Sequence, residues 1–139
     1  MRKVVACENP RLLAGFVKKS FCMSVNGGDV WFEHLDGIYE NEQLVLEKLE
    51  TDAKTFSRPS MPSLIAINID ETEITEDIAD TLVEKLTGAK MFTRVVFVGV
   101  NGSDKRKLKR KISATPHRFA LDFNNDFQKA KEWLVSESV

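Results

Sequence analysis

The stretch Leu64-Ile65-Ala66-Ile67-Asn68-Ile69, followed by Asp70 through Thr87, decides the fold of this 139-residue chain. Ile65, Ile67 and Ile69 alternate along the first part, so they share one face of a predicted β-strand. In the second part the apolar residues recur at the spacing of an amphipathic helix: Ile78, Ala79, Leu82, Val83 and Leu86. Between strand and helix lies a turn crowded with carboxylates, Asp70-Glu71-Thr72-Glu73-Ile74-Thr75-Glu76-Asp77.

Length and composition predict one domain with its own core. A chain of 139 residues, 42% of them hydrophobic, has the size of an ordinary single domain. No apolar run approaches the roughly 20 residues of a membrane span, and residues 1–8 do not resemble a signal peptide. We therefore expect a cytoplasmic protein without a transmembrane segment. Cys7 and Cys22 lie in no metal-ligand spacing, which predicts free, mostly buried thiols and no metal site.

The charges are distributed unevenly along the chain, although its formal net charge is only −1. Residues 29–87 contain 15 acids and 4 bases, giving 4 − 15 = −11, whereas residues 88–118 contain 9 bases and 1 acid, giving 9 − 1 = +8. Such a pattern concerns partners and solubility more than the fold.

The order of elements predicts an N-terminal extension and one α/β domain. Residues 1–19 are the predicted extension, with a short helix over 9–19, and residues 20–139 are the domain. Asn26-Gly27 predicts a β-hairpin at the start of the domain, because both turn positions favour positive φ. The predicted strands are 21–25, 30–35, 64–69, 94–100 and 119–123. The predicted helices begin near Glu40, in the acidic turn, at a Ser103 cap and at Asn125.

Strands that alternate with helices predict a mixed sheet in which the hairpin precedes sequential parallel βα units. Residues 94–100 are apolar on both faces, which is typical of a central strand. The strands at 64–69 and 119–123 instead have Asn68 and Asp122 on their less apolar faces. We therefore expect the helices mainly on one face of the sheet.

Over residues 20–136 this order resembles the STAS family, the fold shared by anti-sigma factor antagonists and sulfate-transporter tails. The family's signature is an apolar residue followed by Asp-Ser-Ser/Thr-Gly at the start of its second helix. The matching positions here read Thr75-Glu76-Asp77-Ile78-Ala79. Glu76 preserves the acid, Asp77 and Ile78 replace the hydroxyl residues, and Ala79 replaces the glycine.

The resemblance implies a non-catalytic regulatory module that docks a signalling protein, or a second copy of itself, through the acidic surface at 70–84. Regulated members of the family are switched by a phosphate on a hydroxyl at this helix start. Asp77 cannot accept one; it is either a stabilising first-turn acid or a fixed charge for a partner. The predicted partner-binding residues are Asp70, Thr75, Glu76, Asp77 and Asp80. Thr72, Thr75 and Thr81 remain as candidate phosphoacceptors, and the predicted regulatory hydroxyls are those of Thr72 and Thr75.

A second charged segment contains six cations: Lys105, Arg106, Lys107, Lys109, Arg110 and Lys111. Leu108 and Ile112 lie one helical turn apart and are expected to anchor this helix. The cations then form a solvated face or meet an acidic protein partner, nucleic acid or an anionic lipid surface. No aromatic residue interleaves the run, which disfavours nucleic acid.

As the alternative, the chain is a small domain that binds an anion or a nucleotide at the strand-to-helix turn 99–104, either as a binding protein or as an enzyme. Its ligand would meet Asn101, Gly102 and Ser103, in a pocket completed by His117. The spacing fits neither the dinucleotide fingerprint nor the P-loop, and Asp104 would oppose a phosphate. His34 and His117 fall in different elements, and the acids have no predicted neighbour that would shift their pKa values towards neutrality. We therefore predict no catalytic residue and no cofactor.

Overall fold

A computed structural model describes residues 17–137, which form a five-stranded mixed sheet and four helices. The strands are β1 Phe21–Val25, β2 Gly28–His34, β3 Leu64–Asn68, β4 Arg94–Val98 and β5 Ala120–Phe123. The helices are α1 Glu42–Phe56, α2 Glu76–Gly88, α3 Gly102–Ser113 and α4 Phe127–Val135. β1 is antiparallel to β2, the other neighbours are parallel, and the order across the sheet follows the chain. The predicted fold class is confirmed.

The hairpin is tighter than predicted. Asn26 and Gly27 have φ values of 47° and 88°, so they form a two-residue turn of the primed type. Gly28 consequently belongs to β2 and pairs with Val25. Cys22 lies in this outer strand and is exposed, so the prediction of a buried thiol is wrong there; Cys7 lies outside the described residues.

The sheet separates two apolar layers of unequal size. α1, α2 and α3 cover the face that presents Ile65, Ile67 and Phe97, and α4 alone covers the face that presents Val96 and Val98. This confirms that the helices lie mainly on one face. β4 is buried on both faces because helices cover both. β4 lies between β3 and β5, so the prediction that residues 94–100 form a central, buried strand is confirmed, although the strand ends at Val98 and the middle strand of the five is β3.

Two predicted helix caps are also wrong. The N-cap of α3 is Asn101 rather than Ser103, because its side-chain oxygen accepts the Asp104 N–H at 2.9 Å. The N-cap of α4 is Asp126 rather than Asn125. In both segments several cap-forming residues are adjacent in sequence, and only the path of the preceding loop selects one of them.

The chain enters β1 along α1 without forming a helix at residues 17–20. Val17 packs on the larger apolar layer, and the Lys18 ammonium lies 3.3 Å from the Asp36 carboxylate. The predicted helix over 9–19 is therefore wrong for residues 17–19, and its remainder lies outside the described residues. None of the helices between residues 17 and 137 combines the length and apolar character that a membrane span needs.

Candidate functional site

The acidic turn after β3 is fixed by backbone hydrogen bonds to the loop after β2. Gly37 N–H donates to the Asp70 carbonyl at 2.8 Å, and Tyr39 N–H donates to the Glu71 carbonyl at 2.9 Å. Glu73 N–H then donates to the Tyr39 carbonyl at 2.7 Å. Tyr39 and Glu71 have φ values of 56° and 55°, a conformation that costs free energy in residues other than glycine. The two loops thus form one ordered platform, with the Tyr39 side chain 54% exposed.

The loop after β4 supports this platform from the other side. Gly99 has a φ of 84°, and a Cβ atom placed there would lie 2.5 Å from the Cβ of Asp70. Only glycine allows so close an approach of the two backbones. The side chain of Asp70 is exposed, so the close approach positions its carboxylate at the surface.

Both candidate regulatory hydroxyls already take part in hydrogen bonds. The Thr72 hydroxyl donates to the Leu35 carbonyl at 2.6 Å and accepts the Ile38 N–H at 3.0 Å. The Thr75 hydroxyl is the N-cap of α2: it accepts the Ile78 N–H at 3.2 Å and donates to the carboxylate of Glu42. A phosphate on either threonine would have to break these contacts.

Two of the predicted partner-binding acids form ion pairs within the chain. The Lys111 ammonium lies 2.6 Å from the Glu76 carboxylate and 2.7 Å from that of Asp80, and Lys107 lies 3.6 Å from Glu76. We call these four residues the exposed cluster, because both acidic side chains are more than half exposed. Hydrogen bonding from Lys111 lowers the pKa of Glu76, and hydrogen bonding to Asp80 raises the pKa of Lys111.

Within residues 70–77, the carboxylates that form no ion pair are those of Asp70, Glu71, Glu73 and Asp77. All four are exposed, and among residues 17–137 none has a cation within 4 Å. Asp77 occupies the first turn of α2, where the positive end of the helix stabilises a negative charge. The platform and this helix start therefore present one acidic surface beside the exposed ring of Tyr39.

The six cations of α3 do not form one patch. Leu108 and Ile112 are buried, as predicted. Lys107 and Lys111 face α2, and the Lys105 ammonium lies over the Phe123 ring, 5.6 Å from its centroid. The remaining cations are exposed to solvent: Arg106, Lys109 and Arg110.

The turn at 99–104 does not form the pocket that the alternative function requires. The N–H groups of Gly99 and Val100 donate to the Asn125 side chain at 3.0 and 3.2 Å, which leaves neither for an anion. His117 precedes β5, whereas Asn101 follows β4. Because these strands are parallel, the two residues lie at opposite ends of the sheet.

A cluster that the sequence analysis missed lies between β2 and α1. Glu33 is 1% exposed, and its Oε1 accepts the Trp31 Nε1–H at 2.8 Å. The Lys48 ammonium donates to the Asp52 carboxylate at 2.7 Å and to the Ser20 hydroxyl at 2.8 Å, and this hydroxyl donates to Asp52 at 2.9 Å. We call Ser20, Glu33, Lys48 and Asp52 the buried cluster.

The buried cluster changes the protonation of Glu33. Burial, and next the neighbouring Asp52 carboxylate, raise the pKa of Glu33 to about 9, against the effects of Trp31 and Lys48. Burial alone would raise the pKa of Asp52, but hydrogen bonds from Glu33, Lys48 and Ser20 lower it. Glu33 Oε2 is buried without a protein donor, and a proton on Glu33 resolves this by making it the donor to Asp52. The expectation that no acid has a neighbour that shifts its pKa is wrong for Glu33.

The other candidate catalytic groups stay separate in the described structure. His34 lies in an inner strand, with its Nδ1 atom 3.0 Å from the Asp36 carboxylate. The Nδ1–H of His117 donates to the Thr115 carbonyl at 2.8 Å. Within residues 17–137, no three histidine, cysteine or acidic side chains are arranged to hold a metal ion.

Comparison with known proteins adds no relative. No family model matches this chain, and no curated protein or solved structure matches it at a significant level. Function must therefore be argued from the residues themselves.

Proposed function

We propose that this chain is a non-catalytic, STAS-like interaction module that docks a signalling protein through the acidic surface formed by Asp70, Glu71, Glu73 and Asp77. The observation that supports this most is the order of the platform. Backbone hydrogen bonds fix both loops, and two residues adopt positive φ to do so. A surface held in one conformation loses less entropy when a partner binds.

The chemistry of the surface indicates a basic partner. Unpaired carboxylates attract a positively charged surface, and this attraction accelerates association and selects the partner. Tyr39 lies next to them with more than half of its side chain exposed. Tyrosine is enriched among the interface residues that contribute most to binding, so this ring is the expected apolar anchor.

The module differs from regulated STAS proteins in its switch. The positions of the family's hydroxyl residues are Asp77 and Ile78, and neither accepts a phosphate from a serine/threonine kinase. Thr72 and Thr75 are held by hydrogen bonds that a phosphate would disrupt. We propose that Asp77 supplies a permanent negative charge in this position, so that docking does not depend on phosphorylation.

The experiment uses the purified chain to capture its partner from an extract of the source cells, followed by calorimetry with the purified partner. Replacing Glu73 and Asp77 by Lys should weaken binding by at least about tenfold, since two attractive charges become repulsive. Tyr39→Asn removes the ring but tolerates positive φ, and it should cost about 2 kcal/mol of binding free energy. Affinity should also fall as salt rises.

The matched control reverses two acids elsewhere, Glu47 on α1 and Glu132 on α4, and should bind as the parent does. Equal affinity of the Glu73→Lys/Asp77→Lys variant and this control would place the interface elsewhere. A stoichiometric phosphate on Thr75 or Thr72 in growing or starved cells, seen by mass spectrometry, would contradict the permanent-charge model.

A further inference from the structure

The edge of the sheet formed by β1 lacks the features that normally prevent strands from pairing. Phe21-Cys22-Met23-Ser24-Val25 contains neither a charged residue nor a proline. Phe21 is 42% exposed and Met23 45% exposed, although both are large apolar side chains. Edge strands are usually protected by lysine, proline or a bulge, because an open edge is a template for another strand.

The opposite edge of the sheet shows the usual protection. β5 has only four residues, and one of them is Asp122. The Lys105 ammonium lies over the Phe123 ring at the end of this strand. One edge is therefore shielded by charge, whereas the other presents an apolar strand.

The hairpin turn decides which backbone groups of β1 are available. In a two-residue turn the flanking pair, Val25 and Gly28, is hydrogen-bonded, and such pairs alternate along the strand. Phe21, Met23 and Val25 therefore bond to β2, and the N–H and C=O groups of Cys22 and Ser24 point outward. The bond from His34 N–H to the Ser20 hydroxyl, on the β1 side of β2, agrees with this alternation.

We propose that two copies of this chain pair through their β1 strands, antiparallel about a two-fold axis at Met23. In this register Cys22 and Ser24 exchange main-chain hydrogen bonds with Ser24 and Cys22 of the second copy. Phe21 packs against Val25 of the second copy, and the two Met23 side chains meet on the axis. All five residues pair, no like charges meet, and the two sheets become one.

The occupant that we propose is a second copy, because the described residues before β1, 17–20, approach the strand from the side of α1. Val17 packs on the larger apolar layer, and Lys18 pairs with Asp36 beyond the end of β2. The Ser20 side chain is bound by Lys48 and Asp52 of α1. Residues 17–20 therefore run along α1, away from the free edge of β1. This pairing involves none of the acidic-surface residues and does not depend on the proposed function.

Sedimentation of the full chain over a range of concentrations tests the pairing. We expect a species of twice the chain mass that persists in high salt, because its contacts are apolar and main-chain. Met23→Lys should shift this species to single copies, since it places two ammonium groups on the axis. At protein concentrations too low for pairing, its melting temperature should equal that of the matched control Gln128→Lys, an exposed α4 position with the same charge change that should still pair at high concentration.

Disulfide trapping tests the register. With Cys7 and Cys22 changed to Ser, Met23→Cys brings two thiols directly opposite each other, within the reach of a disulfide. Mild oxidation should then give covalent dimers with Met23→Cys but not with Val25→Cys, whose two copies lie about four residues apart along the strands.

Four results would overturn the proposal. A full chain that stays single at all concentrations excludes the pairing. Dimers that survive Met23→Lys use another surface, and equal trapping at positions 23 and 25 excludes this register. A protein that is single as the full chain but dimerises once residues 1–16 are deleted would show that its own N-terminal segment occupies the edge.

Discussion

The exposed and buried clusters contain the same kinds of groups, but they differ in their access to water. In the exposed cluster, Lys111 lies within 2.7 Å of two carboxylates whose side chains are mostly solvated. In the buried cluster, Lys48 lies 2.7 Å from Asp52, whose side chain is only 19% exposed, with Glu33 beneath it. The distances are alike, so any difference in energy must come from solvation.

The difference shows in the protonation states. In the exposed cluster both shifts favour the charged form: hydrogen bonding from Lys111 lowers the pKa of Glu76, and hydrogen bonding first to Asp80 and then to Glu76 raises the pKa of Lys111. In the buried cluster the cation satisfies Asp52, and burial raises the pKa of Glu33 until it is neutral at pH 7. One cation does not support two buried carboxylates, so one of them keeps its proton.

The largest effect is expected from Glu33→Gln. An acid whose pKa is higher in the folded protein stabilises it fully below the unfolded pKa and loses this contribution as pH rises towards the folded pKa. For Glu33 this window runs from pH 4.5 to about 9, and it amounts to about 4 kcal/mol between pH 5 and pH 8. Glutamine resembles the neutral carboxyl and does not titrate, so the variant should lose this dependence.

Denaturant unfolding of parent and variant at several pH values between 5 and 8 measures this effect. Glu47→Gln, an exposed acid on α1, is the matched control and should keep the slope of the parent. An unchanged slope in Glu33→Gln would mean that Glu33 is ionised in the folded protein.

The next effect is the loss of Lys48. Lys48→Met keeps much of the aliphatic chain but leaves Asp52 without its cation, next to the Glu33 carboxyl. Removing one partner of a buried pair costs about 3–5 kcal/mol, and we expect about 3 because this pair is partly solvated. Lys54→Met, at an exposed position of the same helix, should change the free energy of unfolding little. Equal changes in the free energy of unfolding for the two substitutions would show that Lys48 stabilises the fold no more than an exposed lysine does.

The exposed cluster should respond much less. Lys111→Met removes the cation shared by Glu76 and Asp80, but water replaces most of what these exposed carboxylates lose. We expect a small fraction of the Lys48→Met effect, and in 1 M salt none at all. Denaturant midpoints at both salt concentrations measure this, with Lys109→Met as the control. A loss of stability as large as that of Lys48→Met would contradict the conclusion that exposure to water sets the energetic difference between the two clusters.

The two clusters also differ in how far the sequence predicts them. The alternation of strands and helices predicts the fold, and the neighbouring position of α2 and α3 follows from it, because sequential parallel strands place successive helices side by side. The buried cluster was missed because Glu33 occurs in a strand and Lys48 and Asp52 on a helix that reads as amphipathic. The available signal was the acid Glu33 in the run Val30–Leu35, where every other residue except His34 is apolar.

For the acidic surface and the cations of α3, the sequence identifies the residues but not the contacts that they make. The acidic turn stands out in the sequence, yet the positive φ of Tyr39 and Glu71 depends on the hydrogen bonds between two loops. The division of the α3 cations into paired and solvated sets likewise depends on where α2 lies.

The smallest expected effect concerns the charges that neither cluster neutralises. Arg106, Lys109 and Arg110 are solvated on α3, and the acidic surface is solvated at 70–77, so two copies can associate weakly head to tail. Lys107 is unsuitable for the test, because it pairs with Glu76 within the chain. Met23→Lys removes pairing through β1 and isolates this contact.

In the Met23→Lys background, the average mass at high protein concentration should fall as salt rises towards 1 M, where the Debye length is about 3 Å. Reversing the three solvated cations to Glu should abolish the excess mass while the melting temperature stays nearly constant. A mass that does not respond to salt would rule out head-to-tail association through these charges and leave the acidic surface to a different protein.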